Sequence, residues 1–318
     1  MFKRGIWHLP SVSRLQNPHL ADVVSYQLLK DPVLEDPERQ REAELLFEGI
    51  VKHLRLSSGI YRSTYPNRFA DLDPVVNGIL ADIFGSGAAI EVHDWAASDC
   101  RVSAEWAAVL WDVFPRARVI ASDLHLNLLE VSCNREAYIF EPDGTPLQYI
   151  RPPFVIPIQK PIPPYYVVNR MLVSRALRKL PHAREAALGI SKQSSWTVKP
   201  ITLIHPSARR LAATDARFEV HRHSVFELLP RKCQVIRTMN IFNLVYFDQQ
   251  RLRSGAACVF DSLAEKGVWV LGKTTADTRP SLNSVSIFQK SEGALKLLQR
   301  LNRGSEIENL VLDQPLAL

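Results

Sequence analysis

Between residues 88 and 131 the chain alternates short apolar runs with helix-like stretches, and this rhythm constrains the fold more than any other feature. Ala88-Ala89-Ile90-Glu91-Val92 has strand length, and Val102 to Phe114 reads as a helix rich in Ala, Trp and Leu. Val119-Ile120-Ala121-Ser122 is again strand-like and ends on Asp123, and the spacing predicts a further helix over Leu126 to Val131. Strands and helices joined by short links build βαβ units and a parallel sheet. The rhythm resumes near Arg217, with strands predicted at Phe218-Glu219-Val220-His221 and Gln234 to Met239. A helix from about Asp248 to Glu265, a strand over Val268 to Leu271 and a closing strand over Val285 to Gln289 complete it. Six or seven strands with interleaved helices imply a doubly wound α/β sheet.

Two segments depart from this pattern. Residues 1–87 read as an N-terminal helical segment. Ala43, Leu46, Ile50 and Leu54 recur at helical spacing, and Asp71-Leu72-Asp73-Pro74 opens a second helix that ends at Gly85-Ser86-Gly87. Residues 141–214 read as a proline-rich insertion in which regular central strands are not expected, because proline donates no ladder hydrogen bond. It carries a basic amphipathic helix over Tyr165 to Lys179 and is expected to cap the ligand edge of the sheet, with Phe154, Val155, Ile156, Ile158, Tyr165 and Tyr166 lining a pocket. The sheet domain is then 88–140 with 215–318.

Composition excludes classes rather than choosing one. The 318 residues are 46% hydrophobic and 23% charged, with formal net charge +6, ordinary for a globular chain. No run approaches the roughly 20 apolar residues that span a bilayer. No long apolar segment follows Lys3 and Arg4, which argues against a secretory signal. Cys100, Cys133, Cys233 and Cys258 are scattered, so no cysteine-based zinc module is expected and reduced thiols in a cytoplasm are. His221 and His223 share a strand face without a nearby third ligand, and no metal is expected.

In an open parallel sheet, ligands bind beyond the carboxyl ends of the strands at the switch in strand order. That rule singles out the loop His93-Asp94-Trp95-Ala96-Ala97-Ser98-Asp99 and Asp123 at the end of the next strand, an acid placed to accept hydrogen bonds from a ribose diol. The plain alternative for Asp123 is a helix N-cap. Val119-Ile120-Ala121-Ser122-Asp123-Leu124 resembles the second motif of class I S-adenosylmethionine-dependent methyltransferases, particularly the chemotaxis-receptor methyltransferase branch. Val235 to Phe242 followed by Tyr246-Phe247-Asp248 is similar to that branch's fourth-strand motif, with two extra residues after Asn240. Leu263 to Gly272 resembles its turn into strand five. The likeness covers about 88–140 and 215–290. It departs at the first loop, where glycines are expected near Asp94, Ala96 and Ser98.

The resemblance implies a Rossmann-like methyltransferase domain that uses S-adenosylmethionine as its cofactor. Glu91, Asp94, Trp95, Ala96, Ser98, Asp123, Leu124, Ser224, Val225 and Asn240 would contact it, with Asp123 on the ribose and Ser224 and Val225 beside adenine. His93, Asn240 and Tyr246 are the implied catalytic residues. His205, His221 and His223 are further base candidates, and Tyr61, Arg62, Tyr65 and Arg68 precede the sheet where they could close over the cofactor. The expected acceptor is an oxygen or nitrogen on a small, lipid-like or carrier-bound molecule. An inactive scaffolding module that kept the fold is the second reading, and a nucleic-acid methyltransferase the third. The basic helix also allows peripheral contact with an anionic membrane.

Overall fold

The computed structural model describes residues 7–8, 26, 28–51, 56–57, 64–158, 167–190, 195–275 and 282–313. In chain order the elements begin with β1 (Trp7–His8), α1 (Gln40–Val51), α2 (Asp73–Phe84), β2 (Glu91–Trp95), α3 (Arg101–Trp111) and β3 (Arg118–Asp123). Next come β4 (Asn127–Cys133), β5 (Glu136–Phe140), β6 (Pro146–Arg151), β7 (Phe154–Pro157), α4 (Val167–Ala187) and β8 (Thr197–Thr202). The last third holds α5 (Pro206–Thr214), β9 (Phe218–Arg222), β10 (Cys233–Met239), α6 (Gln249–Ser262), β11 (Leu263–Thr275), β12 (Leu282–Ser291), β13 (Ala294–Leu301) and α7 (Glu308–Leu312). Two compact units result, one of residues 1–64 with 125–206 and the other of 65–124 with 207–318.

The first unit is an antiparallel sheet in the order β1-β7-β6-β5-β4-β8. Helix α1 packs Phe47 and Ile50 on one face against Leu128, Ile139, Leu147 and Val155. Helix α4 packs Leu172, Ala176 and Ala183 on the other against Val131, Tyr138, Phe140 and Tyr149. Both faces are therefore dry, and β5 is buried at every position. This corrects two expectations. The stretch expected as a helix over 126–131 is instead β4 from Asn127 onward, with Leu128 and Val131 feeding opposite cores. The proline-rich stretch does form strands, because Pro146 opens β6, Pro157 closes β7 and Pro152-Pro153 make the turn between them. Consequently residues 125–140 pair with this sheet and not with the parallel one, so the division falls at 124/125 and 206/207. Val155 and Ile156 fill the two cores instead of lining a pocket. Of the charge on α4, Arg175 and Lys179 both pair with the buried Glu136. Tyr61, Arg62, Tyr165 and Tyr166 lie outside the described residues.

The second unit is the doubly wound sheet, in the order β13-β12-β11-β10-β2-β3-β9. Strands β9, β3, β2, β10 and β11 run parallel, and β12 and β13 close the edge as an antiparallel meander. From β2 the chain builds outward through β3 to β9, then crosses back to lay β10 on the other side of β2. The switch point is thus between β2 and β10, and its crevice opens at their carboxyl ends. Helix α6 covers β10 and β11, burying Leu252, Ala256 and Val259 against Ile236, Trp269 and Leu271. On the opposite face α2 and α3 are joined by Asn77, which receives the Trp106 indole N–H at 3.0 Å and donates to the Val109 carbonyl at 3.2 Å. Among the described residues no helix is long and apolar enough to cross a membrane.

Candidate active site at the switch point

The loop leaving β2 has an unusual backbone. Ala96, Ser98 and Cys100 have φ of 56°, 58° and 64°, alternating with residues of ordinary φ. That left-handed region favours glycine, and each side chain there costs about 1–2 kcal/mol. The positions that call for glycine are therefore 96, 98 and 100, not 94, 96 and 98. Asp94 lies inside β2 with ordinary strand pairing to Arg237 and Ala121.

Two bonds hold the loop over the neighbouring strand. Ala97 N–H donates to the Ser122 carbonyl at 2.9 Å. Ser98 N–H donates to Asp123 Oδ2, also at 2.9 Å. Since β4 follows Asp123 instead of a helix, the acid is a strand-end anchor and not an N-cap. His223 N–H extends the ladder to the Asp123 carbonyl at 3.3 Å, which brings the segment after β9 alongside. The Trp95 and His223 rings meet there with centroids 4.6 Å apart. Trp95 Nε1 and His223 Nε2 are buried without a hydrogen-bond partner among the described residues. Burial holds the His223 imidazole below the usual histidine range.

Asp94 is spent inside the protein. Its two oxygens take Arg237 Nε at 2.9 Å and NH2 at 2.5 Å, and Ser103 Oγ donates to Oδ2 at 2.5 Å. Arg237, wholly buried, also reaches Asp73 at 2.8 Å, and its guanidinium lies 4.1 Å from the Trp106 ring centre. Burial pushes the Asp73 carboxyl up to about 7, with Arg237 pulling the other way and Asp94 adding repulsion. Local spacing does not group Asp73, Ser103 and Arg237, yet the sequence carries one signal of them. An Arg inside the central run Val235-Ile236-Arg237-Thr238-Met239 must find a buried acid.

The remaining candidates fall around this frame. Asn240 ends β10 at φ 64°, and its Oδ1 accepts the Thr274 N–H at 2.8 Å, so it shapes the turn. Beyond it Leu244, Val245 and Tyr246 are exposed, and Glu306 fixes their loop by accepting the Leu244 N–H at 2.8 Å. Arg68 donates to Thr274 Oγ1 at 3.1 Å and lies 5.3 Å from the centre of the exposed Tyr65 ring. Leu124 is exposed, whereas Val225 is buried in the core under α6, and Ser224 Oγ accepts the Phe226 N–H at 3.3 Å. Glu91 and His93 point to the other face of the sheet from Asp94, into a cleft of about 260 Å³ shared with Arg118, Glu219, His221 and Arg231. Burial lowers the His93 pKa despite its 3.1 Å contact with Glu91. His205 belongs to the first unit, packed edge-on against Phe47 at 5.3 Å. Among the described residues no three His, Cys, Asp or Glu side chains are grouped to hold a metal.

No protein-family model matches the sequence, and no curated protein does. Solved structures that are similar include a sugar N-methyltransferase from Streptoalloteichus sp. ATCC 53650, at 13% identity, 76% coverage of each chain and a TM-score of 0.31. An S-adenosylmethionine-dependent methyltransferase from Clostridium acetobutylicum ATCC 824 is 10% identical, with 76% of this chain and 78% of that one covered and a TM-score of 0.32. An O-methyltransferase of neocarzinostatin biosynthesis, in complex with S-adenosyl-L-homocysteine and 1,4-dihydroxy-2-naphthoic acid, is 10% identical with a TM-score of 0.28. The match takes in 65% of this chain and only 41% of that one. Overlaps of this size carry no weight for function, and the fold rests on the sheet order described above.

Proposed function

We propose that the chain transfers a methyl group from S-adenosylmethionine to an oxygen or nitrogen on a small, lipid-like or carrier-bound acceptor. The observation that carries this reading is the tie between the left-handed loop and the strand-end acid at the switch point, Ser98 N–H to Asp123. The residues fit the cofactor. Asp123 is a strand-end carboxylate, the kind of acceptor that ribose hydroxyls donate to, and one of its oxygens already takes the Ser98 N–H. The partnerless Trp95 Nε1 and His223 Nε2 beside it are polar atoms that a bound heterocycle would satisfy. Leu124 and Ser224 directly follow Asp123 and His223 in the chain. Asp94, committed to Arg237, is withdrawn from the contact set.

When bound, the cofactor supplies an electrophilic methyl on a sulfonium, and alignment of the acceptor is then the main task left to the protein. Tyr246 and Tyr65 offer the acceptor aromatic walls, and Asn240 fixes the turn from which Tyr246 projects. His93, held neutral near pH 7 by burial, is the base for an acceptor that must lose a proton. Calorimetric titration with S-adenosylmethionine checks this: saturable heat is expected, and Asp123→Ala removes it. Absence of heat at millimolar ligand overturns it.

The second reading, a binding module without catalysis, has its own support in the three side chains at glycine-favouring positions and in the engagement of Asp94. It predicts that the same titration stays silent.

A further inference from the structure

Parallel strands of one sheet are joined by crossovers that normally carry a helix onto the sheet face. The link from β9 to β10 does not. Residues 223–232 cross back past β3 and β2 without helix or strand. The face under that link is consequently left to its own side chains, and Leu229 and Pro230 form one wall of the resulting cleft.

We propose that this cleft is a second binding site, which takes a phosphoryl group as free phosphate or as a small phosphate monoester. The argument rests on which hydrogen-bonding capacity is used. Both floor carboxylates are occupied: Arg118 bridges Glu91 and Glu219. His93 contacts Glu91 at 3.1 Å and His221 contacts Glu219 at 2.9 Å. What stays open is cationic. Arg231 is mostly exposed and comes no nearer than 4.0 Å to Glu91. Among the described residues, Arg222 donates from Nε alone, to the Leu124 carbonyl at 3.3 Å. His223 Nε2, lining the same cleft, is buried without a partner among the described residues.

Three arginines and two carboxylates line the cleft, so its arginines outnumber its carboxylates by one. Two arginines and an imidazole in the lining match the hydrogen bonding that phosphate oxygens accept. A cation would meet only carboxylates already engaged. The pocket volume of about 260 Å³ admits a phosphoryl group with a few carbon atoms attached. The site shares His93 and His223 with the methyl-transfer reading but needs no S-adenosylmethionine, so a titration without that cofactor tests it separately.

The test titrates the full chain with inorganic phosphate in one arm and glycerol 3-phosphate in the other, following the imidazole signals by NMR against sodium chloride of equal ionic strength. Saturable shifts of the His221 and His223 signals are expected, with the tighter arm identifying the source. The double substitution Arg222→Ala and Arg231→Ala should weaken binding at least about tenfold, the effect of losing a charge-assisted hydrogen bond. Circular dichroism of that variant should be unchanged, because both side chains are peripheral. Shifts that chloride reproduces, that never saturate, or that survive the double substitution overturn the proposal. So does silence in both arms.

Discussion

Strand β2 puts two charged networks on opposite faces of one sheet, and they differ in almost every energetic respect. On one side Asp94 meets Arg237, Asp73 and Ser103 beneath α2 and α3, and the Arg237 and Asp94 side chains are 0% and 4% exposed. On the other, Glu91 meets Arg118 and His93 in an open cleft, with Arg118 43% exposed. Residues three apart on one strand thus face two dielectrics. Removing one partner from a dry network strands the others without solvent, whereas water replaces a missing partner in the wet one.

Mutations can break or sharpen that contrast. The largest expected effect is Arg237→Met, which leaves Asp73 and Asp94 buried and unpaired. It should lower unfolding stability by about 3–5 kcal/mol in urea titration. Next is Asp73→Asn. Because burial raises the folded pKa of Asp73 to about 7 from 3.8, its contribution is fully present below about pH 4 and is lost as pH climbs through 7. The substitution should remove that decline, seen as a flatter Tm between pH 5 and 8. His93 and His223 act in the opposite sense there: their lowered pKa values mean stability lost as pH falls below about 6.5. Ala96→Gly relieves one left-handed side chain and should raise stability by up to about 1 kcal/mol. Smallest is Arg118→Ala in the wet network, expected to cost under about 1 kcal/mol. If it matched Arg237→Met, the contrast between the faces would be wrong.

The sheet domain was largely readable because its signals are local. Asp123 sits at a strand end whichever way the neighbouring loops run, and the 249–262 helix carries its apolar positions at helical spacing under an Asp248 cap. Residues 126–131 misled for a physical reason. A strand covered by helices on both faces has no polar alternation, so Leu128, Leu129 and Val131 fit a helical period as well as an extended one. Asp94 and Arg237 are 143 positions apart, so nothing in local spacing could pair them. The left-handed conformations at Ala96, Ser98 and Cys100 were hidden because glycine, the residue that advertises such a backbone, is absent from the loop.

That absence has a thermodynamic side. A glycine loop is supple in the unfolded chain and must surrender that freedom on folding and again, in part, when it closes on a ligand. Alanine, serine and cysteine restrict the unfolded ensemble from the start, and the bonds to Ser122 and Asp123 finish the ordering before any ligand arrives. The loop is therefore a preset mould. A ligand that bound against it, as the methyl-transfer reading proposes, would meet a low entropic penalty and little adaptability.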